Sequence, residues 1–222
     1  MKDGDKITMD PQFEKSLGTP HAASTGASAG LNALAHSPGS LAGQFLVAMP
    51  AMADPRFART VIYLCAHTPE NAMGLVINKP LQDLKFGDVL ENLNIIPTTA
   101  SCRGIHVHRG GPVETQRGFV LHSCDYNREG TLVLNDQVAL SATTEILKSI
   151  ACGAGPSANL MALGYSGWGP GQLDMEIKRN AWLNVPADPD LLFSGDFNSK
   201  WERALAKLGV NAALLSPVAG HC

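Results

Sequence analysis

Ala72-Met-Gly-Leu-Val-Ile-Asn-Lys-Pro80 is apolar almost without interruption and stops at a proline. A short run of this kind, with no polar residue at alternate positions, reads as a β-strand covered on both faces. Proline closes it where the next backbone amide would be required. The segment is therefore expected to be a central strand. Upstream, Gln44–Met49 and Thr60–Cys65 are rich in Val, Ile, Phe and Tyr and read as two further strands. Between them lie Pro50 and Asp54-Pro55, an acidic cap followed by proline, which suits a single helical turn.

Downstream, Phe86, Val89, Leu90 and Leu93 fall on one helical stripe, giving a helix over about 84–93 with Asp83 as its cap. Residues 105–109, 119–123 and 131–134 read as strands divided by Gly-Gly-Pro, Gln116-Arg-Gly118 and Asn127-Arg-Glu-Gly130 turn chemistry. Ser141 opens a helix with Ile146, Leu147 and Ile150 on one side, ended by Gly153. Asn159–Tyr165 is another apolar strand, and a helical pattern begins near Pro170 and runs to Asn180. A strand near Ala181–Val185 follows. Ser199 and Glu202 then form a capping box for a last helix, whose Trp201, Ala204, Leu205 and Leu208 stripe ends at Gly209. Strands and helices do not alternate as in a doubly wound sheet, so the class is α+β.

The chain has 222 residues, of which 45% are hydrophobic and 17% charged, and a formal net charge of −3. This is the composition of a soluble globular protein with no global attraction to polyanions. The segment Ser16–Ser40 is built of Gly, Ala, Ser, Thr, His and Pro with few large apolar residues. Residues 1–40 are thus expected to be a flexible low-complexity tail, and 41–222 a single folded domain. The five cysteines, Cys65, Cys102, Cys124, Cys152 and Cys222, are odd in number and never paired as Cys-x-x-Cys. They fit reduced thiols in a cytoplasm better than a disulfide framework. Neither a signal peptide nor a membrane span is expected, because charges interrupt the first twenty residues and glycines and prolines break the uncharged stretch 149–173.

The strings quoted so far resemble the YqgE/AlgH family of bacterial proteins. The likeness rests on Gly43-Gln-Phe-Leu-Val-Ala-Met-Pro50, Val61-Ile-Tyr-Leu-Cys-Ala-His67, Ala72–Pro80, Gly110-Gly-Pro-Val113, Gly118-Phe-Val-Leu-His122, Gly164-Tyr-Ser-Gly-Trp-Gly-Pro-Gly-Gln-Leu173 with Glu176, and Gly220-His221. It runs from about Leu41 to the C-terminus. The resemblance implies a compact domain whose mostly antiparallel sheet is bifurcated and folded toward a pseudo-barrel, flanked by helices. One branch of that family is described as regulating transcription, and the family brings no catalytic residues to transfer.

Read as chemistry, Gly164-Tyr-Ser-Gly-Trp168 fails as a nucleophile elbow, because Trp168 stands where the second glycine must be. It reads as a strand-to-helix turn in which Trp168 packs and Gln172 bonds at a helix end. His106 and His108 would share a strand face, with His122 and Cys124 on a neighbouring strand, but half-buried or surface histidines are the favoured reading and no metal or cofactor is expected. Arg109-Gly-Gly-Pro combines a guanidinium with glycines that free the backbone to turn amides toward an anion. Around it Arg103, Arg109 and Arg117 face the single acid Glu114. The candidate anion-binding residues are therefore Arg109, Gly110, Gly111, His122 and Gln172.

Two functions remain at this stage. The favoured one is a non-catalytic cytoplasmic regulatory or interaction protein, acting on transcription indirectly through a protein or small-molecule partner. No basic helix is available for sequence-specific DNA binding. The alternative is an enzyme or binding protein for an anionic or phosphorylated small metabolite, using the 109–122 loop region with His122 as acid or base. Convergence of Arg109, His122 and Gln172 on one pocket would separate them.

Overall fold

Strand β3, Ala72–Val76, is buried at every position, with Met73 and Leu75 entering one core cluster and Ala72 and Val76 another. The computed structural model describes residues 6–10, 39–99, 102 and 104–210. Within them the chain runs β1 (Gln44–Ala48), a 3-10 turn (Pro55–Phe57), β2 (Val61–His67), β3, β4 (Pro80–Lys85), α1 (Phe86–Asn92), β5 (His106–Arg109), β6 (Val113–Ser123), β7 (Thr131–Val133) and β8 (Val138–Ser141). It continues through α2 (Thr144–Ala151), β9 (Asn159–Trp168), α3 (Gln172–Lys178), β10 (Trp182–Pro186), α4 (Pro189–Phe193) and α5 (Lys200–Ala206).

The main path of the sheet is β10-β1-β2-β3-β9-β6-β8-β7, and every neighbouring pair along it is antiparallel. The sheet divides at β9. The first part of its edge takes β5 in parallel, Val107–Arg109 against Met161–Leu163, and the later part takes β3, with Ala72 opposite Trp168. β4 continues the short branch beyond β5.

Strict alternation sorts side chains into three cores. Phe45, Val61, Tyr63, Leu75, Phe119, Leu121 and Leu160 face the inside of the curled sheet, where Leu191 and Leu192 of α4 and Trp201 and Leu205 of α5 close it. Val107, Val120 and Met161 face outward beneath α1 and α2. Leu46, Ile62 and Leu64 face outward on the other branch, with Leu173 of α3. The α+β class and the curled, bifurcated sheet follow from this arrangement, as does the burial of β3 on both sides.

Several local expectations are corrected. Residues 6–10 are not a free tail: Ile7 is buried, and Thr8 forms a parallel bridge with Arg117. The rest of the expected tail up to Pro38 lies outside the described residues, as do Arg103, His221 and Cys222. Ser141 does not open a helix. It ends β8, a strand the local pattern did not announce, and α2 begins three residues later. The N-cap of α1 is Lys85, whose amide donates to the Asp88 carboxylate at 2.8 Å, and Asp83 belongs to β4. The capping box at Ser199 does not form; Glu202 reaches Arg59 at 2.7 Å. Lys200, at the start of α5, is fully buried.

Candidate functional site

The fork in the sheet is built by Gly164, Gly110 and Gly111. Gly164 takes φ +71° between the two stretches of β9 that serve different partners, a conformation that favours glycine. A Cβ on Gly110 would lie 2.2 Å from the Gly164 carbonyl oxygen, and one on Gly111 2.1 Å from the Tyr165 carbonyl carbon. The two glycines thus let β5 leave β9 at backbone contact distance. The Arg109 amide donates to the Lys79 carbonyl at 2.8 Å and the Gly110 amide to the Leu163 carbonyl at 2.8 Å. Those two N–H groups are engaged within the sheet and do not point at an anion.

Side chains around the fork enclose a cleft of about 790 Å³ lined by Arg56, Asn78, Lys79, Asp83 and Arg109. An adjoining hollow of about 440 Å³ shares Arg56, Lys79 and Arg109 and adds the apolar walls of Phe57, Val76, Pro112 and Leu163. Arg56 is committed to Asp54, Nη2 to Oδ2 at 2.6 Å. Among the described residues neither Lys79 nor Arg109 has an ion-pair partner. Burial and the nearby Arg59 charge push the Lys79 ammonium below its ordinary value. Two cations that form no ion pair, beside an apolar wall and with Asp83 as an acid on the same cleft, favour an anionic group entering it.

His122 lies elsewhere. Along β9 it faces Asn159, whereas Arg109 faces Leu163, a separation of about 13 Å at strand rise. Its Nδ1 lies 2.9 Å from the Ser123 carbonyl oxygen, which requires the proton on Nδ1. Nε2 then accepts from the Ser141 hydroxyl at 3.0 Å, and Thr131 Oγ1 follows at 3.1 Å. Burial holds the imidazole pKa below its ordinary value. The pair has the spacing of a nucleophile and its base, but His122 and Ser141 are 0% and 1% exposed and neither lines the cleft. Most of the expected 109–122 loop is in fact strand β6.

Gln172 sits at the far end of β9. Its Oε1 accepts the Gly169 amide at 3.1 Å and its Nε2 donates to Glu176 at 2.8 Å. The other oxygen of Glu176 accepts both Trp168 and Trp182 indole N–H groups, at 2.9 and 2.8 Å. The glycine-rich string is thus a clamp that joins β9, α3 and β10, and Gln172 performs the helix-end role expected of it. Arg109, His122 and Gln172 share no pocket.

The residues that sequence reasoning missed are Lys79 and Arg56. Lys79 is the one charge in the run that defines β3, and that was its available signal. His106 and His108 do share a face, both edge-on to Phe197 with centroids 4.9 and 4.8 Å away. The sulfur of Cys124 contacts the Asn135 carbonyl at 3.4 Å instead. Among the described residues no three His, Cys, Asp or Glu side chains converge as metal ligands.

Comparison with known proteins agrees with this architecture. A UPF0301 protein of Rhodospirillum rubrum is 55% identical over 183 residues, covering 82% of this chain and 95% of its own length. One from Methylobacterium sp. is 52% identical over 194 residues, covering 84% and 92%. The solution structure of the AlgH protein from Pseudomonas aeruginosa superposes with a TM-score of 0.69 at 47% identity, over 84% of this chain and 98% of that one. A Corynebacterium diphtheriae protein at 21% identity has the same fold, with a TM-score of 0.65 over 78% and 90%. A family model described as AlgH-like (DUF179) matches residues 45–213, and the chain belongs to that AlgH-like, UPF0301 family.

Proposed function

We propose that this chain is a non-catalytic regulatory protein of the cytoplasm that binds an anionic small molecule, a carboxylate or phosphate, in the cleft at the fork of its sheet. The observation that carries the reading is that Lys79 and Arg109 line one cleft and that, among the described residues, neither forms an ion pair, although the Asp83 carboxylate lines the same cleft. Arg109 supplies a planar, bidentate donor and Lys79 a point charge, a combination suited to an oxyanion. Among the described residues no serine or cysteine lines the cleft, which supports binding over covalent turnover. Among the described residues Cys65, Cys102, Cys124 and Cys152 are free thiols, which supports a reducing compartment. With a net charge of −3, any influence on transcription runs through the ligand or a protein partner, not through contact with bases.

The test is a thermal-shift titration with inorganic phosphate, acetate and a sugar phosphate. At a hundredfold excess over Kd, stabilisation of about 2.7 kcal/mol is expected, a rise of several degrees for a domain of this size. Lys79→Ala and Arg109→Ala should abolish that shift and change the unliganded protein by no more than about 1 kcal/mol. If no anion stabilises the parent, or if the double variant still responds, the cleft is not an anion site.

A further inference from the structure

The backbone of β6 slips register against β9 between Val113 and Gly118. That stretch pairs with residues 6–10 of the same chain. The Thr8 amide donates to the Gln116 carbonyl at 3.0 Å, and the Gly118 amide donates to the Thr8 carbonyl at 2.8 Å. Ile7 enters the outer core formed with Phe86, Val89 and Leu90, and its amide meets Asn92 Oδ1 at 3.3 Å. Met9 packs on the same cluster, and a Cβ at Gly118 would come within 2.3 Å of its sulfur. Asp10 accepts from Arg117 at 3.0 Å.

We propose that this groove between α1 and β6 is a docking site for an extended peptide of a partner protein, carrying apolar side chains at positions i and i+2 and a carboxylate at i+3. Residues Ile7, Met9 and Asp10 are its occupant within the chain. Each element of peptide recognition by strand addition is present: paired main-chain bonds for affinity, an apolar anchor, and a charge that fixes the register. Gly118 leaves the room in which the second apolar side chain rests. The walls of the groove, α1 and β6, lie within residues 45–213 that match the family, whereas the occupant precedes them. Residues 11–38 stand between the occupant and the domain in sequence. Two main-chain bonds to β6, the Ile7 amide bond to Asn92, the buried Ile7 side chain, the Met9 contact and the Asp10–Arg117 ion pair hold the segment. These contacts are made within one chain, at an effective concentration typical of linked modules, on the order of millimolar, and a competing peptide exchanges with them.

The experiment titrates a fluorescent peptide of residues 1–12 against the full-length protein and against full-length Ile7→Asp and Thr8→Pro, read by anisotropy. The parent should bind at least about tenfold more weakly than either variant, because its own segment competes. A peptide carrying the Ile7→Asp change should bind none of them. Hydrogen exchange at the Gly118 amide should accelerate in both variants and slow again when the parent-sequence peptide is added. Variants that stay folded yet bind the peptide no better than the parent overturn the proposal. Should Ile7→Asp unfold, Thr8→Pro decides, since it removes one amide of the segment and no core side chain. If both unfold the domain, the segment is a structural strand and the proposal fails.

Discussion

The Nζ of Lys200 is fully buried, 2.5 Å from the Leu192 carbonyl oxygen and 5.6 Å from the Phe197 ring centroid. Burial, helped by the Arg203 charge, pushes its pKa down from 10.5 to about 7. The unfolded chain therefore binds this proton where the folded chain does not, between pH 7 and 10.5. Stability should rise with pH across that window, by roughly 5 kcal/mol at most, and below pH 7 this lysine adds no further change. Lys200→Met should flatten the rise and stabilise the protein at pH 7, because an uncompensated buried charge is removed. Urea midpoints at pH 7 and 9 check it, and an unchanged slope in the variant would assign the pH dependence elsewhere. His108 acts in a lower window with the same sign. Burial lowers its pKa to about 4, so the folded state loses up to roughly 3 kcal/mol as pH falls from 6.5 to 4, and His108→Asn should blunt that acid sensitivity. Nothing local announces either burial. Lys200 stands beside the Trp201, Ala204, Leu205 stripe, and what encloses it is the end of α4, brought there by tertiary packing.

At the scale of elements, the fork requires glycine at β9. A Cβ on Gly164 would lie 2.7 Å from the Gly111 carbonyl oxygen and 2.9 Å from that of Val113, in a residue already at φ +71°. Gly164→Ala should therefore cost at least about 2 kcal/mol, measurable as a lowered urea midpoint. A neutral outcome would mean that the fork relaxes freely. Elements whose signal is local were legible: β3 from its apolar run, the 3-10 turn from Asp54-Pro55, where Asp54 Oδ1 accepts the Arg56 amide at 2.9 Å, and the α3 clamp from Gln172. Strand β8 was not, because Ser141 looks like a cap until His122 arrives from β6 to hold its hydroxyl. Helix α4 carried a readable sign, Asp188 capping Leu191 before Pro189 as the first helical residue, in a helix too short for an apolar stripe. β4 begins at Pro80, and a proline taken as a stop serves there as the first residue of an edge strand.

Across the whole molecule one sheet serves three cores, and the cleft exists only because segments around Arg56, Lys79 and Arg109 meet where that sheet divides. Those cations are separated by more than twenty residues in sequence and share no motif, so the composition of the site was hidden even though Arg109 itself was singled out. The same sharing has a consequence for folding. β6 and β9 send Phe119, Leu121, Leu160 and Ala162 into the inner core and Val120 and Met161 into the outer one, so neither layer can loosen without disturbing the strands that hold the other. We expect one cooperative transition. Leu147→Ala in the outer core and Leu205→Ala in the inner core should each cost about 2–5 kcal/mol. The double variant should be additive to within about 0.5 kcal/mol, since the two side chains belong to separate clusters. Trp168 and Trp182 lie in the third core and Trp201 in the inner one, so tryptophan fluorescence reports on layers that Leu147 does not touch. In Leu147→Ala the fluorescence and far-UV circular dichroism midpoints should nonetheless fall together. Were the fluorescence midpoint to stay at its parent value while the circular dichroism transition split in two, the β5–β6–β8 side would be unfolding on its own and β9 would be a hinge between two units.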